Sequence, residues 1–188
     1  KGDVDVTWAD GWSVKGLFDA RQLDLTPLMQ VFTNAFSISG SLDSKGTFES
    51  RSSALDAVLE QPQVKADFNV HEGSISNVDL IAAIKTTGRD GVIGGQTRFG
   101  DLSGTLALSA NRFQFRKLHL SLGLLDAKGS VDIAQDGKLT GRIDSQLGAK
   151  GTEVRGLLAV SGGLSEPRLK LLSRQVPHSV EAPEEQPN

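Results

Sequence analysis

The chain has 188 residues, a net charge of -3 at pH 7, 23% charged and 38% apolar residues, 21 glycines, and neither Cys nor Tyr. That length allows one domain with a real core, and a mildly acidic balance excludes a nucleic-acid grip, which needs a concentrated basic surface. The missing thiols exclude disulfides and thiolate metal sites, and an aromatic content of 5% leaves little for stacking on sugars or bases.

Three early stretches share one plan. Trp12 to Gly16, Phe36 to Gly40 and Phe68 to Gly73 each open on an aromatic residue, alternate in polarity and turn at Gly; they start 24 and 32 residues apart. Each leads through a second strand to a short segment with helical spacing. The first helix is expected over Thr26–Phe32, with Thr26 as cap, Pro27 at the first helical position and Leu28, Val31 and Phe32 as its stripe. The second is expected from the capping-box pattern Ser53-Ala-Leu-Asp56 through Val58 and Leu59 to a stop at Pro62. The third starts at Asp79, presents Leu80, Ala83 and Ile84 on one face and stops at Gly88.

Arg89 to Gly100 is rich in Gly and reads as a loop. It lacks the Gly-Lys-Ser/Thr ending of a phosphate loop and runs from helix to strand, the reverse of that motif. From Gly104 to Leu147 alternation dominates: Leu106 and Leu108, Phe113 and Phe115, Leu118, Leu120, Leu122 and Leu124, Val131 and Ile133, then Leu139, Ile143 and Leu147. Lys117, His119, Ser121, Lys128, Asp132, Arg142 and Asp144 stand between them, so the period is two and one face of an antiparallel meander is apolar. Gln135-Asp136-Gly137-Lys138 is a tight hairpin by its Asp-Gly pair. Val154–Val160 and Leu169–Leu172 are two further strands. From Arg174 on, three of the six prolines stand among Glu181, Glu184 and Glu185, the composition of a disordered tail.

Candidate chemistry is sparse. His71, His119 and His178 have no partner at metal-ligand spacing, and His119 alternates with leucines, which places it on the solvated face. Asp43, Asp67, Asp126, Asp132 and Asp144 read as polar-face residues with no acid/base pairing, and no Gly-x-Ser-x-Gly elbow occurs. Arg98, Arg112, Arg116 and Lys117 are the densest basic group; a charged outer face is the plainer reading, lipid-headgroup contact the sharper one. The expectation is therefore a non-enzymatic protein with no metal and no cofactor.

Ordered pieces of residues 66 to 172 resemble the C-terminal region of the AsmA family of bacterial envelope proteins. They are Phe68-Asn-Val-His-Glu-Gly-Ser-Ile-Ser-Asn-Val-Asp-Leu80, Gly95-Gln-Thr-Arg-Phe-Gly-Asp-Leu-Ser-Gly-Thr105, Leu118-His-Leu-Ser-Leu122, Lys128-Gly-Ser-Val-Asp-Ile133 and Val160-Ser-Gly-Gly-Leu-Ser-Glu-Pro167. At Ala127-Lys128-Gly129 one of the family's two glycines is missing, and the first 65 residues match only in strand-helix style. The resemblance implies a periplasmic β-rich body, an inner-membrane anchor outside this sequence, and a part in outer-membrane homeostasis or phospholipid passage. No apolar run here reaches the roughly 18 residues of a spanning helix. The chain begins at Lys1 rather than Met and is read as an excised piece whose targeting segment, if it had one, is removed.

The expected fold is mainly β with a few short helices (α+β), an elongated, twisted antiparallel meander with one apolar face, either a β-groove or an open half-barrel. Residues 1–65 are taken as upstream strand-helix units, 66–173 as the AsmA-like β region and 174–188 as the tail. The expected function is to hold or guide phospholipid or other acyl chains on a lining of Leu118, Leu120, Leu122, Leu124, Val131, Ile133, Leu139 and Ile143. The alternative is an assembly scaffold that engages an envelope protein by strand addition, and no nucleic-acid partner is expected.

Overall fold

The computed structural model describes residues 1–9, 11–32, 37–58, 60–86, 90–149 and 152–176. In chain order these form β1 (Gly2–Thr7), β2 (Trp12–Asp24), α1 (Leu25–Phe32), β3 (Ile38–Ser52), β4 (Gln63–Ser76), α2 (Leu80–Lys85), β5 (Val92–Ile93), β6 (Gln96–Ser109), β7 (Arg112–Leu122), β8 (Leu125–Ile133), β9 (Leu139–Leu147), β10 (Val154–Gly162) and β11 (Pro167–Gln175). The strands make one antiparallel sheet in the order β1-β2-β3-β4-β6-β7-β8-β9-β10-β11-β5. Mainly β with short helices is thus the observed class. The boundary between residues 65 and 66 falls inside β4, across which the sheet runs without a break.

Every connection lies at one of two ends. At the hairpin end stand the turns β1–β2, β3–β4, β6–β7, β8–β9 and β10–β11; at the helix end stand α1, α2 and the turns β7–β8 and β9–β10. The turn chemistry is local. Ala110 and Asn111 take positive φ between β6 and β7, and Gly137 (φ 78) closes the β8–β9 hairpin, where Ala134 N donates to Lys138 O at 2.9 Å.

Beyond β6 the sheet curls. β5 pairs with β11 at the far edge, yet only Gly94 and Gly95 separate it from β6. Six strand spacings would put β5 about 29 Å from β6 in a flat sheet, whereas three residues of chain reach about 11 Å at most. The β11–β5 edge therefore swings back toward β6, although no ladder joins β5 to β6 and the sheet stays open. Gly94 and Gly95 have φ of 78° and 83°, a conformation that residues with a Cβ adopt at a cost.

α2 sits inside this curl, touching β6, β9, β10 and β11. Asp79 caps it by accepting from Ala82 N at 2.8 Å. The Thr97 hydroxyl on β6 accepts from Leu80 N (3.0 Å) and donates to Val78 O (2.7 Å). From β11, Arg174 donates to the carbonyls of Ile84 and Thr86, closing the C-terminal end of the helix with a cation. Leu80, Ala83 and Ile84 are buried, together with Val70, Phe99, Leu102, Leu120, Leu125, Ala127, Leu158, Val160 and Leu169.

Several expectations need correction. Residues 53–58 form no helix but successive turns, with Val58 N bonded to Leu55 O; Val58 is nevertheless buried, held by the Ser50 hydroxyl donating to its carbonyl. The cap of α1 is Asp24, which accepts from Thr26 N at 2.8 Å, so α1 starts one residue before Thr26. The segment 89–100 contains β5 and the first turns of β6's ladder rather than only loop. Arg174 and Gln175 belong to β11, not to a tail. Phe36, Leu59, Gly88, His178 and residues 177–188 lie outside the described residues, as does the disorder expected of the tail.

Candidate functional site

Register turns the alternation of single strands into rows across the sheet. One row runs Gly2, Phe18, Gly46, Ala66, Leu106, Phe115, Val131, Gly141, Val160, Leu169, Val92, one residue from each of the eleven strands, with no polar side chain in it. Nearer the hairpin end a second row runs Phe48, Val64, Leu108, Phe113, Ile133, Leu139. Nearer the helix end a third runs Leu23, Leu42, Val70, Leu102, Leu120, Ala127, Ser145, Gly156.

Glycines notch this face where large side chains cross it. A Cβ on Gly16 would meet the Phe48 ring at 2.5 Å, one on Gly46 the Phe18 ring at 2.7 Å, and one on Gly73 the Phe99 ring at 2.5 Å. Each ring lies over a backbone with no side chain, so the rings lie flat along the sheet and the face stays smooth. Phe68 and Phe115 meet edge to face at 6.1 Å.

Burial along the rows is graded. The helix-end row contains Val70 (2% exposed), Leu102, Leu120 (5%) and Ala127, whereas no member of the hairpin-end row is buried and Phe113 is 38% exposed. The cause is reach. α2 extends about 9 Å over its six residues, while β6 is about 46 Å long. The apolar face is therefore buried at its helix end and only partly covered at its hairpin end.

The eight residues expected as a lining divide accordingly. Leu120 is core; Leu118, Val131, Leu139 and Ile143 pack against that core while remaining partly exposed; Ile133 lies in the hairpin-end row. Leu122 is the last residue of β7 and 44% exposed, and Leu124 is in the β7–β8 turn, 61% exposed, so the four leucines do not form one alternating strand. A bulge at Lys117 (φ 52) shifts the register between Phe115 and Leu118. Residues outside that set, Phe18, Phe48, Val64, Leu106 and Leu108, share the partly covered rows with Phe113 and Phe115. The Gly16-Leu-Phe18 and Gly46-Thr-Phe48 dyads were the available signal, because a Gly and an aromatic two apart share one face.

The opposite face is polar. His71 on β4 stands between Asp101 (2.8 Å) and Asp43 (3.5 Å), and His119 on β7 is 2.6 Å from Asp126 on β8. Burial works against ionisation of Asp126, but hydrogen bonds and charge from His119 and Lys128 outweigh it and hold the carboxyl below its usual range. Arg116 pairs with Asp132 at 2.7 Å, and Asp19 is lowered mainly by its bond to Arg21. Among the described residues no group of three His, Cys, Asp or Glu could hold a metal ion. Arg98 and Arg112 stand near opposite ends of the sheet, about 36 Å apart along β6, so the four basic residues do not gather into one patch. Among the described residues no helix is long and apolar enough to cross a membrane.

No family model, curated protein or solved structure matches this chain.

Proposed function

We propose that this chain is a non-enzymatic lipid-holding module, in which acyl chains lie along the apolar trough at the hairpin end. The observation that carries the reading is the row without polar side chains across all eleven strands, unburied where α2 does not reach. A hydrocarbon chain gains there what a core side chain gains, removal of apolar area from water at about 25 cal/mol per Å². The resemblance of residues 66 to 172 to the AsmA family fits such a role and adds a setting: the periplasm, on a protein anchored in the inner membrane, serving envelope lipid homeostasis.

Native mass spectrometry of gently purified protein, with parallel lipid extraction, tests the reading. Bound phospholipid or fatty acid is the expected result. Phe113→Asp should abolish it while leaving a β-type circular dichroism spectrum, whereas Leu120→Asp should unfold the chain. A lipid-free mass together with unfolding by Phe113→Asp would make the whole face an ordinary core. A second reading has its own observation: β1 is exposed throughout and paired on one side only, an edge that could accept a strand from an envelope protein.

A further inference from the structure

Both tryptophans of the chain stand together at the hairpin end. Trp8 and Trp12 flank the β1–β2 turn with ring centroids 6.3 Å apart, and Trp8 is 69% exposed. Trp12 pairs with Ser52 on β3, so the adjoining β3–β4 turn, which carries Leu55 at 58% exposure, lies at the same corner of the sheet. Val4 and Val6 on β1 continue the apolar surface inward from Trp8, at 59% and 44% exposure, on the face that bears Val14 and Gly16. Trp12 is half-buried, but Trp8 and Leu55 stand in water and no described segment covers them.

The described polar residues of this corner are Thr7, Ser13, Ser52 and Ser53, with the carboxylate of Asp56 next to Leu55, and Asp10 stands between the two tryptophans in the sequence. The nearest described cation, Arg51, is paired with Glu49 at 2.7 Å. Indole rings beside hydroxyls and carboxylates, without a free basic patch, suit the boundary between zwitterionic headgroups and hydrocarbon, where tryptophan buries its ring and keeps its N–H wet. They do not match adsorption to anionic lipid by charge, which needs clustered Lys and Arg.

We infer that the Trp8–Trp12–Leu55 corner is a docking site for the interfacial layer of a lipid bilayer, setting the open end of the trough against the leaflet from which acyl chains enter. This inference rests on the trough reading and names the source that fills the trough. The opposite end also exposes leucines, Leu122 and Leu124, but α2 closes the apolar face there and no tryptophan accompanies them.

With two Trp and no Tyr in the chain, intrinsic emission reports on this corner alone. The purified protein is titrated with phosphatidylcholine vesicles, following emission wavelength and co-sedimentation, and separately with a soluble fluorescent fatty acid. Docking predicts a blue shift and co-sedimentation with neutral vesicles. Trp8→Ser and, independently, Leu55→Ser should weaken binding at least about tenfold, as loss of one buried large apolar side chain implies. Both sites are exposed, so the fold and fatty-acid binding should persist in each variant. No shift with vesicles, or binding only to anionic vesicles that ignores Trp8→Ser, overturns the inference, and intact fatty-acid binding in that case leaves the trough reading standing. Vesicle docking without fatty-acid binding would remove the trough reading, and with it the role of the corner in filling the trough.

Discussion

The graded burial of the apolar face depends on α2, and one helix supplies both the test and its control. Ile84 has no exposed surface and lies over Gly156, where a Cβ would be 3.6 Å from its Cγ2; Ile81, one turn away, is 39% exposed. Ile84→Ala removes three buried carbons, about 2.4 kcal/mol of transfer free energy at ~0.8 kcal/mol each. The curl is tied by Arg174 and Thr97 and cannot collapse freely into the space, so a cavity contribution raises the cost to about 3–4 kcal/mol. Ile81→Ala should cost about 1 kcal/mol or less. Urea unfolding followed by far-ultraviolet circular dichroism reads the difference. With a slope of about 2 kcal/mol per M, Ile84→Ala should lower the midpoint by roughly 1.5–2 M and Ile81→Ala by under about 0.5 M. Equal small shifts in both variants would mean that α2 rests on the sheet without completing a core, and the graded burial would lose its cause.

Two further outcomes follow from polar groups. Ser145 is fully buried between Ala127 and Gly156 and its hydroxyl has no hydrogen-bond partner among the described residues, so Ser145→Ala should leave the unfolding free energy from urea titration unchanged or raise it by up to about 1 kcal/mol; a loss above about 1 kcal/mol would show that the hydroxyl is satisfied in solution. Asp126 titrates below its unfolded value, because His119 and Lys128 overcome its desolvation. Its contribution is therefore complete above about pH 4 and is lost as pH falls through the lowered folded value. Its side chain is 43% exposed, which limits the effect to well under about 1 kcal/mol. The urea midpoints of wild type and Asp126→Asn should differ near neutral pH and converge in acid; a gap that persists at about pH 2 would assign the effect to packing.

Alternation made the meander legible because it depends only on a period of two, which β6 to β9 keep except at the Lys117 bulge and around Gly100, where burial passes from Thr97 and Phe99 to Leu102. It could not locate turns inside a leucine-rich run: Leu122-Gly-Leu-Leu125 has the composition of a strand, and only Gly123 at φ 56 marks the reversal. Residues 53–58 carry a capping pattern but too few turns to bury a stripe, so i→i+3 bonds replace a helix. β5 is two residues long, below the length at which any period can be read, and composition hid Arg174 because Pro and Glu dominate its surroundings.

The apolar face was legible as amphipathic, but which of its residues are covered was not, since exposure depends on what lies above a residue and not on its neighbours in sequence. Phe113, four residues before the Lys117 bulge, and Leu120, three after it, have the same pattern on the same strand and differ in burial with their place between the hairpin end and the helix end of the sheet. The deciding quantity is the length of the connection between β4 and β6. Its helix has six residues, too short to cross the sheet from end to end, and the β3–β4 loop at the hairpin end supplies Val58 but no helix. An eleven-strand apolar face with covers this short has uncovered area by geometry, and an occupant or a partner must shield it or the area must stay wet. On the proposed function, lipid retention and the Trp8 corner are two consequences of one shortage of cover, and both belong to the end away from α2.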